Sequence, residues 1–286
     1  MISTPLDPEV SLLTAPTQAA HTVAQSRTLD VLARGGLLGW GIVHLALAWI
    51  CVQVAFGEGG QEADQGGALE TLASNPGGTV LLVALAVGFA AFAVWQATEA
   101  VRGHGRRSAG TERTVHRVVS GGRAILFATL AVTSVRFAFG SRESHSAEKQ
   151  SSATADLLAL PAGPLLVGAV GLAVVVTGGV LVYRGLAKKF RENLDTAGMP
   201  SEVRQPAEVL GLVGYTAKGI VLGIAGVLVI AAAVTFDPEK SRGLDAALKT
   251  LGAQPFGKVL LVAVAAGLAC FGVYSFVDAR YRNIKS

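Results

Sequence analysis

A unit of two long apolar segments recurs three times along this chain of 286 residues, and that recurrence leaves few folds open. Ala68–Ala100 matches Ala247–Ala279 without a gap, with 17 of 33 positions identical. A weaker third copy lies between them, around Asp156–Gly185. Each unit offers two apolar stretches, so successive units re-enter a membrane from the same side. The expected architecture is an all-α, polytopic membrane protein of six transmembrane helices, arranged as three parallel hairpin repeats around a pseudo-threefold axis. Such parallel repeats differ from the inverted repeats of many transporters.

Charge distribution supports that reading. Only 15% of residues are charged, against about 25% in soluble domains, while 51% are hydrophobic. A span needs about 20 apolar residues to cross about 30 Å of hydrocarbon. Uncharged runs of suitable length are Thr79–Thr98, Pro161–Tyr183, Gly219–Phe236 and Val259–Val277, and Leu37–Phe56 carries only His44 and Gln53 as strongly polar residues. Val118–Phe139 is the weakest because it holds Arg123 and Arg136. Those arginines are 13 residues apart, roughly 20 Å at helical rise, so each can snorkel to its own interface.

Lys and Arg set the expected orientation. Fifteen fall in the N-terminal segment, the two connections between units and the tail; six fall in the loops within units. The bias predicts cytoplasmic N and C termini in a multi-pass protein of the cell membrane. Residues 1–30 are polar, contain Pro5, Pro8 and Pro16, and lack the apolar core of a signal peptide, so a disordered cytoplasmic arm is expected there. Cys51 and Cys270 lie in separate spans, which argues against a disulfide framework. The net charge of +4 arises from the connections, which should attract anionic lipid headgroups. No aromatic-interleaved basic patch points to nucleic acid.

The units run over 31–102, 115–189 and 209–282. In each, a short leucine-bearing segment (Ala68–Ala73, Ala155–Leu160, Ala246–Leu251) precedes a Pro-x-Gly, at Pro76, Pro161 and Pro255. Proline suits the first turn of a helix, so each Pro-x-Gly is placed at the outer mouth of the second span. The short segments are read as helices on the outer membrane surface, either a lid or a cover for helix ends. Gly35/Gly39 and Gly219/Gly223 have the small-xxx-small spacing of close helix crossings.

This pattern resembles the bacterial membrane family catalogued as domain of unknown function 1206, built from three copies of a two-helix unit. The residues that carry the likeness are Gly214-Tyr215-Thr216-Ala217-Lys218-Gly219-Ile220 and the Pro-x-Gly followed by an apolar helix ending in an acid. Gly36 and Gly41 fit the same opening in the first unit, with Trp40 in the place of Lys218; in the second unit Arg123 takes that place, the glycine pattern is degraded, and Arg184 replaces the closing acid. The resemblance implies the architecture and no activity.

Alignment of the units also yields the candidate functional residues. The early position of the first span is Trp40, Arg123 or Lys218, and the late position of the second is Glu99, Arg184 or Asp278. At similar depth, Glu99 and Asp278 could pair with Arg123 and Lys218, since unpaired charge in hydrocarbon is costly. One reading is an ionisable ring at a cytoplasmic entrance; the plainer one is structural ion pairs that fix helix register. His44, deeper in its span, could relay protons or simply hydrogen-bond to a neighbour. The chain contains no phosphate loop, His-Glu-x-x-His or Gly-x-Ser-x-Gly, so neither catalysis nor a cofactor is expected. Two readings remain: a structural or accessory membrane protein with a membrane-protein partner, or a small-solute, ion or proton transporter with a path along the pseudo-threefold axis.

Overall fold

The computed structural model describes residues 27–57, 60–102, 111–140, 146–195 and 198–282. Nine α-helices occur among them: α1 (Arg27–Phe56), α2 (Gln65–Ala73), α3 (Gly78–Arg102), α4 (Thr111–Ala138), α5 (Ser146–Leu158), α6 (Gly163–Leu186), α7 (Ser201–Thr235), α8 (Gly243–Gly252) and α9 (Gly257–Tyr281). Six of them (α1, α3, α4, α6, α7 and α9) are long and apolar enough to cross a membrane. Their sequence order runs up and down, so the bundle has a capped end, carrying the short helices α2, α5 and α8, and a basal end, where α1 starts and α9 finishes. Beyond the part of α1 that starts at Arg27, the arm expected over residues 1–30 lies outside the described residues.

The six spans form an open ring, and its strongest joints lie between units. α3 packs along α4, α6 along α7, and α9 along α1, each more extensively than the two spans of any one unit pack together. Within units, α1 pairs with α3 and α7 with α9, but α4 and α6 do not pack along their lengths. Glycines account for the difference. Lipid tails are as apolar as the side chains, so helix association in a membrane rests on close contact. In the first hairpin a Cβ on Gly88 would fall 2.9 Å from the backbone of Gly35 and Gly36; in the third, a Cβ on Gly214 would fall 2.6 Å from Phe271. The corresponding second-unit positions are Val119 and Ala173, in place of Gly36/Gly214 and Gly88/Gly267. The second hairpin thus lacks the glycines at which the other two close.

α6 is attached almost wholly through α7. Its contact stripe, Gly171, Gly178 and Gly185, repeats every seven residues and meets Gly219 and Gly226 on α7. The close-contact pair on α7 is therefore Gly219 and Gly226, while a Cβ at Gly223 or at Gly35 would meet nothing within 4 Å. α7 is 35 residues long, about 50 Å at 1.5 Å per residue. Its uncharged run starts only at Gly219, so Glu202, Arg204, Glu208 and Lys218 all lie in its first half.

At the capped end the short helices start earlier than the leucine pattern implied. The prolines sit in the turn before each long helix, and the glycine of Pro-x-Gly, Gly78, Gly163 or Gly257, is its first residue. A Cβ on these glycines would strike a carbonyl oxygen near the end of the preceding short helix, that of Leu72, Leu157 or Gly252. The motif is thus a reverse turn that only glycine can close. Carboxylates then join the units. Asp64 caps α2 by accepting from the Gly67 N–H at 2.9 Å, as an N-cap does. Glu62 accepts from Ser146 N–H at 2.9 Å, at the start of α5. Asp245 accepts from Ala63 N–H at 3.0 Å and pairs with Lys249 at 2.7 Å. Ser151 donates to Glu239 at 3.0 Å. Every unit is bonded to both others.

Candidate functional site at the basal end

Aromatic side chains fill the middle of the bundle. Starting from Phe190, in a 3-10 turn after α6, ring contacts run through Tyr215 (α7), Phe271 (α9), His44 and Trp40 (α1), Phe127 (α4) and Phe92 (α3). Centroid separations along this chain run from 4.3 to 5.6 Å, within the range of favourable aromatic pairs. It touches every span except α6. Phe190 is fully buried and packs on Gly211, and Tyr274 donates to the Phe190 carbonyl at 3.4 Å.

Lys218 rises from α7 into this stack. Its Nζ lies 4.4 Å from the centroid of Trp40 and 4.1 Å from that of Phe271. Sequence alignment had placed Trp40 and Lys218 at equivalent positions of two units; the fold brings them together. No carboxylate lies within ion-pair distance of Lys218 among the described residues. The ring faces are its counter-charge, and a desolvated cation over aromatic faces gains about 2 kcal/mol or more. His44 is 1% exposed, and its Nδ1 is 2.8 Å from the carbonyl of Trp40, one turn back on the same helix. That contact is the local hydrogen bond of the plainer expectation.

Asp278 does not pair with Lys218 or Arg123. Its Oδ2 accepts from Arg282 at 3.1 Å, one turn on along α9. An i,i+4 partner on the same helix outcompetes one that would have to reach across the bundle. The Arg282 guanidinium also covers the rings of Trp95 and Phe92, at 5.3 and 5.9 Å. Arg34 of α1 donates to the carbonyls of Ala279 and Arg280 at 2.9 and 2.7 Å, satisfying the carbonyls that a helix end leaves open. Among the described residues, Gln96 Nε2, Thr216 Oγ1 and Asp278 Oδ1 are buried in this half of the bundle without a hydrogen-bond partner.

Arg123 behaves differently. It stands one turn before Phe127 and two before Leu130, on the face that those buried residues turn inward, yet it is exposed. Arg123, Arg184 and Arg282 all act electrostatically on Asp278 and Tyr215. Neither Arg123 nor Arg184 makes an ion pair among the described residues. Glu99 is half-buried on α3, three residues from Gln96.

Sequence reasoning missed Tyr215, Gln96 and Arg282. Tyr215 was quoted only as part of the opening motif, and Gln96 lies inside an apolar run where a lone amide merits notice. The spacing of Asp278 and Arg282 is that of a same-helix pair. Among the described residues no group of three His, Cys, Asp or Glu side chains converges as metal ligands would.

Comparisons with known proteins agree with the repeat architecture. The sequence profile of the family described as Domain of Unknown Function (DUF1206) matches three times, over residues 35–103, 118–188 and 213–282. The chain is 30% identical over 254 residues to the uncharacterized protein YxxB of Bacillus subtilis (strain 168), covering 88% of this chain and 90% of the relative. No solved structure matches. Three profile matches on a bundle of six apolar spans place this multi-pass membrane protein in the DUF1206 family.

Proposed function

We propose that this chain is a non-catalytic structural or accessory protein of the bacterial cell membrane, with its basal end in the cytoplasm. One observation carries the reading: the interior where spans α1, α4 and α9 meet is filled by the buried Trp40, His44, Phe127 and Phe271, with Lys218 Nζ of α7 set against two of those rings. A wet path needs hydroxyl, amide or charged groups along its length. The orientation rests on the Lys and Arg bias of the connections. The three units 31–102, 115–189 and 209–282 are then one membrane domain.

Proteoliposomes loaded with a pH-sensitive dye test this. The expected result is proton and ion leakage equal to that of protein-free vesicles, unchanged by Lys218→Met. A flux that requires protein and falls in Lys218→Met or His44→Gln overturns it. That outcome favours transport, the reading that the interior position of Lys218 and His44 would support. Cysteines placed at the capped end should react with an impermeant thiol reagent in intact cells; protection there, with reaction at the basal end, reverses the orientation.

A further inference from the structure

We infer that the gap in the second hairpin is a binding site for one anionic phospholipid, its phosphate held between Arg123 and Arg184. The site is independent of whether the axis conducts. α4 is held by α3 and α6 by α7, with no packed joint between α4 and α6, so the ring of spans is open sideways there. α4 contributes Arg123 at the basal end of the opening and α6 contributes Arg184. On α7 the half-buried Tyr215 and Lys218 sit one turn apart, Tyr215 within electrostatic reach of both arginines and Lys218 of Arg123. Beside Arg123 at helical spacing, Val119 and Leu126 are 44% and 40% exposed; one turn before Arg184, Val180 is 49% exposed. The groove is therefore apolar along the membrane and cationic at its basal mouth.

Charge complementarity names the occupant. Arg123, Arg184 and Arg282 all lie within electrostatic reach of one buried carboxylate, Asp278, which Arg282 already occupies. Among the described residues, the Arg123 and Arg184 guanidinium groups have no anion, and Arg123 is on the inward face of α4. Arginine forks suit phosphate oxygens, and basic pockets between spans on the cytoplasmic side recruit anionic headgroups. A headgroup with its acyl chain in the groove satisfies both features. A soluble phosphate satisfies only the first.

The test uses the full chain purified in detergent and titrated with phosphatidylglycerol, phosphatidylcholine or glycerol phosphate, with bound lipid counted by native mass spectrometry. Phosphatidylglycerol should bind in preference to phosphatidylcholine. The Arg123→Gln/Arg184→Gln double variant should weaken that binding by roughly thirtyfold, and Arg280→Gln, an exposed arginine at the same end, should leave it unchanged. Equal binding of both lipids, or full binding by the double variant, overturns the site. Competition by glycerol phosphate at the strength of the lipid overturns the lipid as source. Should the double variant misfold, a photoreactive phosphatidylglycerol on the wild type decides: crosslinks on α4 and α6 uphold the site, and crosslinks confined to other helices refute it.

Discussion

Two adjacent glycines on α6 should respond to alanine with opposite signs. A Cβ on Gly178 would fall 2.7 Å from Gly219 O and from Gly223 N, both backbone atoms that cannot rotate away. A Cβ on Gly179 would meet nothing within 4 Å. Both substitutions gain helix propensity, up to about 1 kcal/mol in a helix interior. Only Gly178→Ala must also push α6 away from α7, and forced overpacking costs about 1–3 kcal/mol. The propensity gain is common to both, so it cancels in their difference. Gly178→Ala should thus be less stable than Gly179→Ala by about 1–3 kcal/mol. Because α6 has no second span to lean on, little of that strain can be shared. Reversible unfolding of both variants in mixed micelles, followed by helical circular dichroism, measures the difference directly. Equal stabilities, or a more damaging Gly179→Ala, would refute the glycine account of how α6 is held.

Three further outcomes follow from the capped end. Burial pushes Asp64 up to about 6 from its ordinary 3.8, against the opposing Gly67 N–H bond. A raised carboxylate makes the folded state hold more protons than the unfolded one, so stability from this group is fully present below about pH 4 and lost as pH rises through about 6. Wild type should therefore gain about 2 kcal/mol on Asp64→Asn between pH 7 and 4.5, read as a converging or crossing pair of melting curves; parallel curves contradict it. Asp245→Ala strands the Ala63 N–H and should cost about 1–3 kcal/mol in chemical unfolding, with Asp245→Asn recovering part because its amide oxygen still accepts. Gly163→Ala places a Cβ against the Leu157 carbonyl and should cost about 1–3 kcal/mol, seen as a lowered thermal midpoint, where Ala162→Gly should not.

The number of spans and the existence of short helices were legible because apolar length and the recurring Pro-x-Gly are local properties. Partner choice was not. A repeat aligns Gly36 with Gly214, but nothing in that alignment states that α1 lies against α9 as well as α3. The splay of the second hairpin left a trace, since Val119 and Ala173 replace glycines, yet its meaning depends on knowing that those glycines form crossings. Equal depth for Asp278 and Lys218 suggested a pair; Arg282, one turn away, took the carboxylate instead. His44 and Lys218 stand out as polar groups in apolar runs, and only the fold reveals that both lie against the same two rings, Trp40 of α1 and Phe271 of α9.

The joint between α1 and α9 unites two spans that leave the ribosome more than 200 residues apart. Until α9 is inserted, the Gly41 face of α1 has no Gly272 to meet, and the Arg34 side chain has no helix end to bond. Assembly of this bundle therefore cannot finish hairpin by hairpin during translation. A chain stopped after α8 would carry five inserted spans and an unsatisfied α1, a form that membrane proteases should degrade quickly. Quality control of this six-span bundle thus rests on the late 25-residue helix α9.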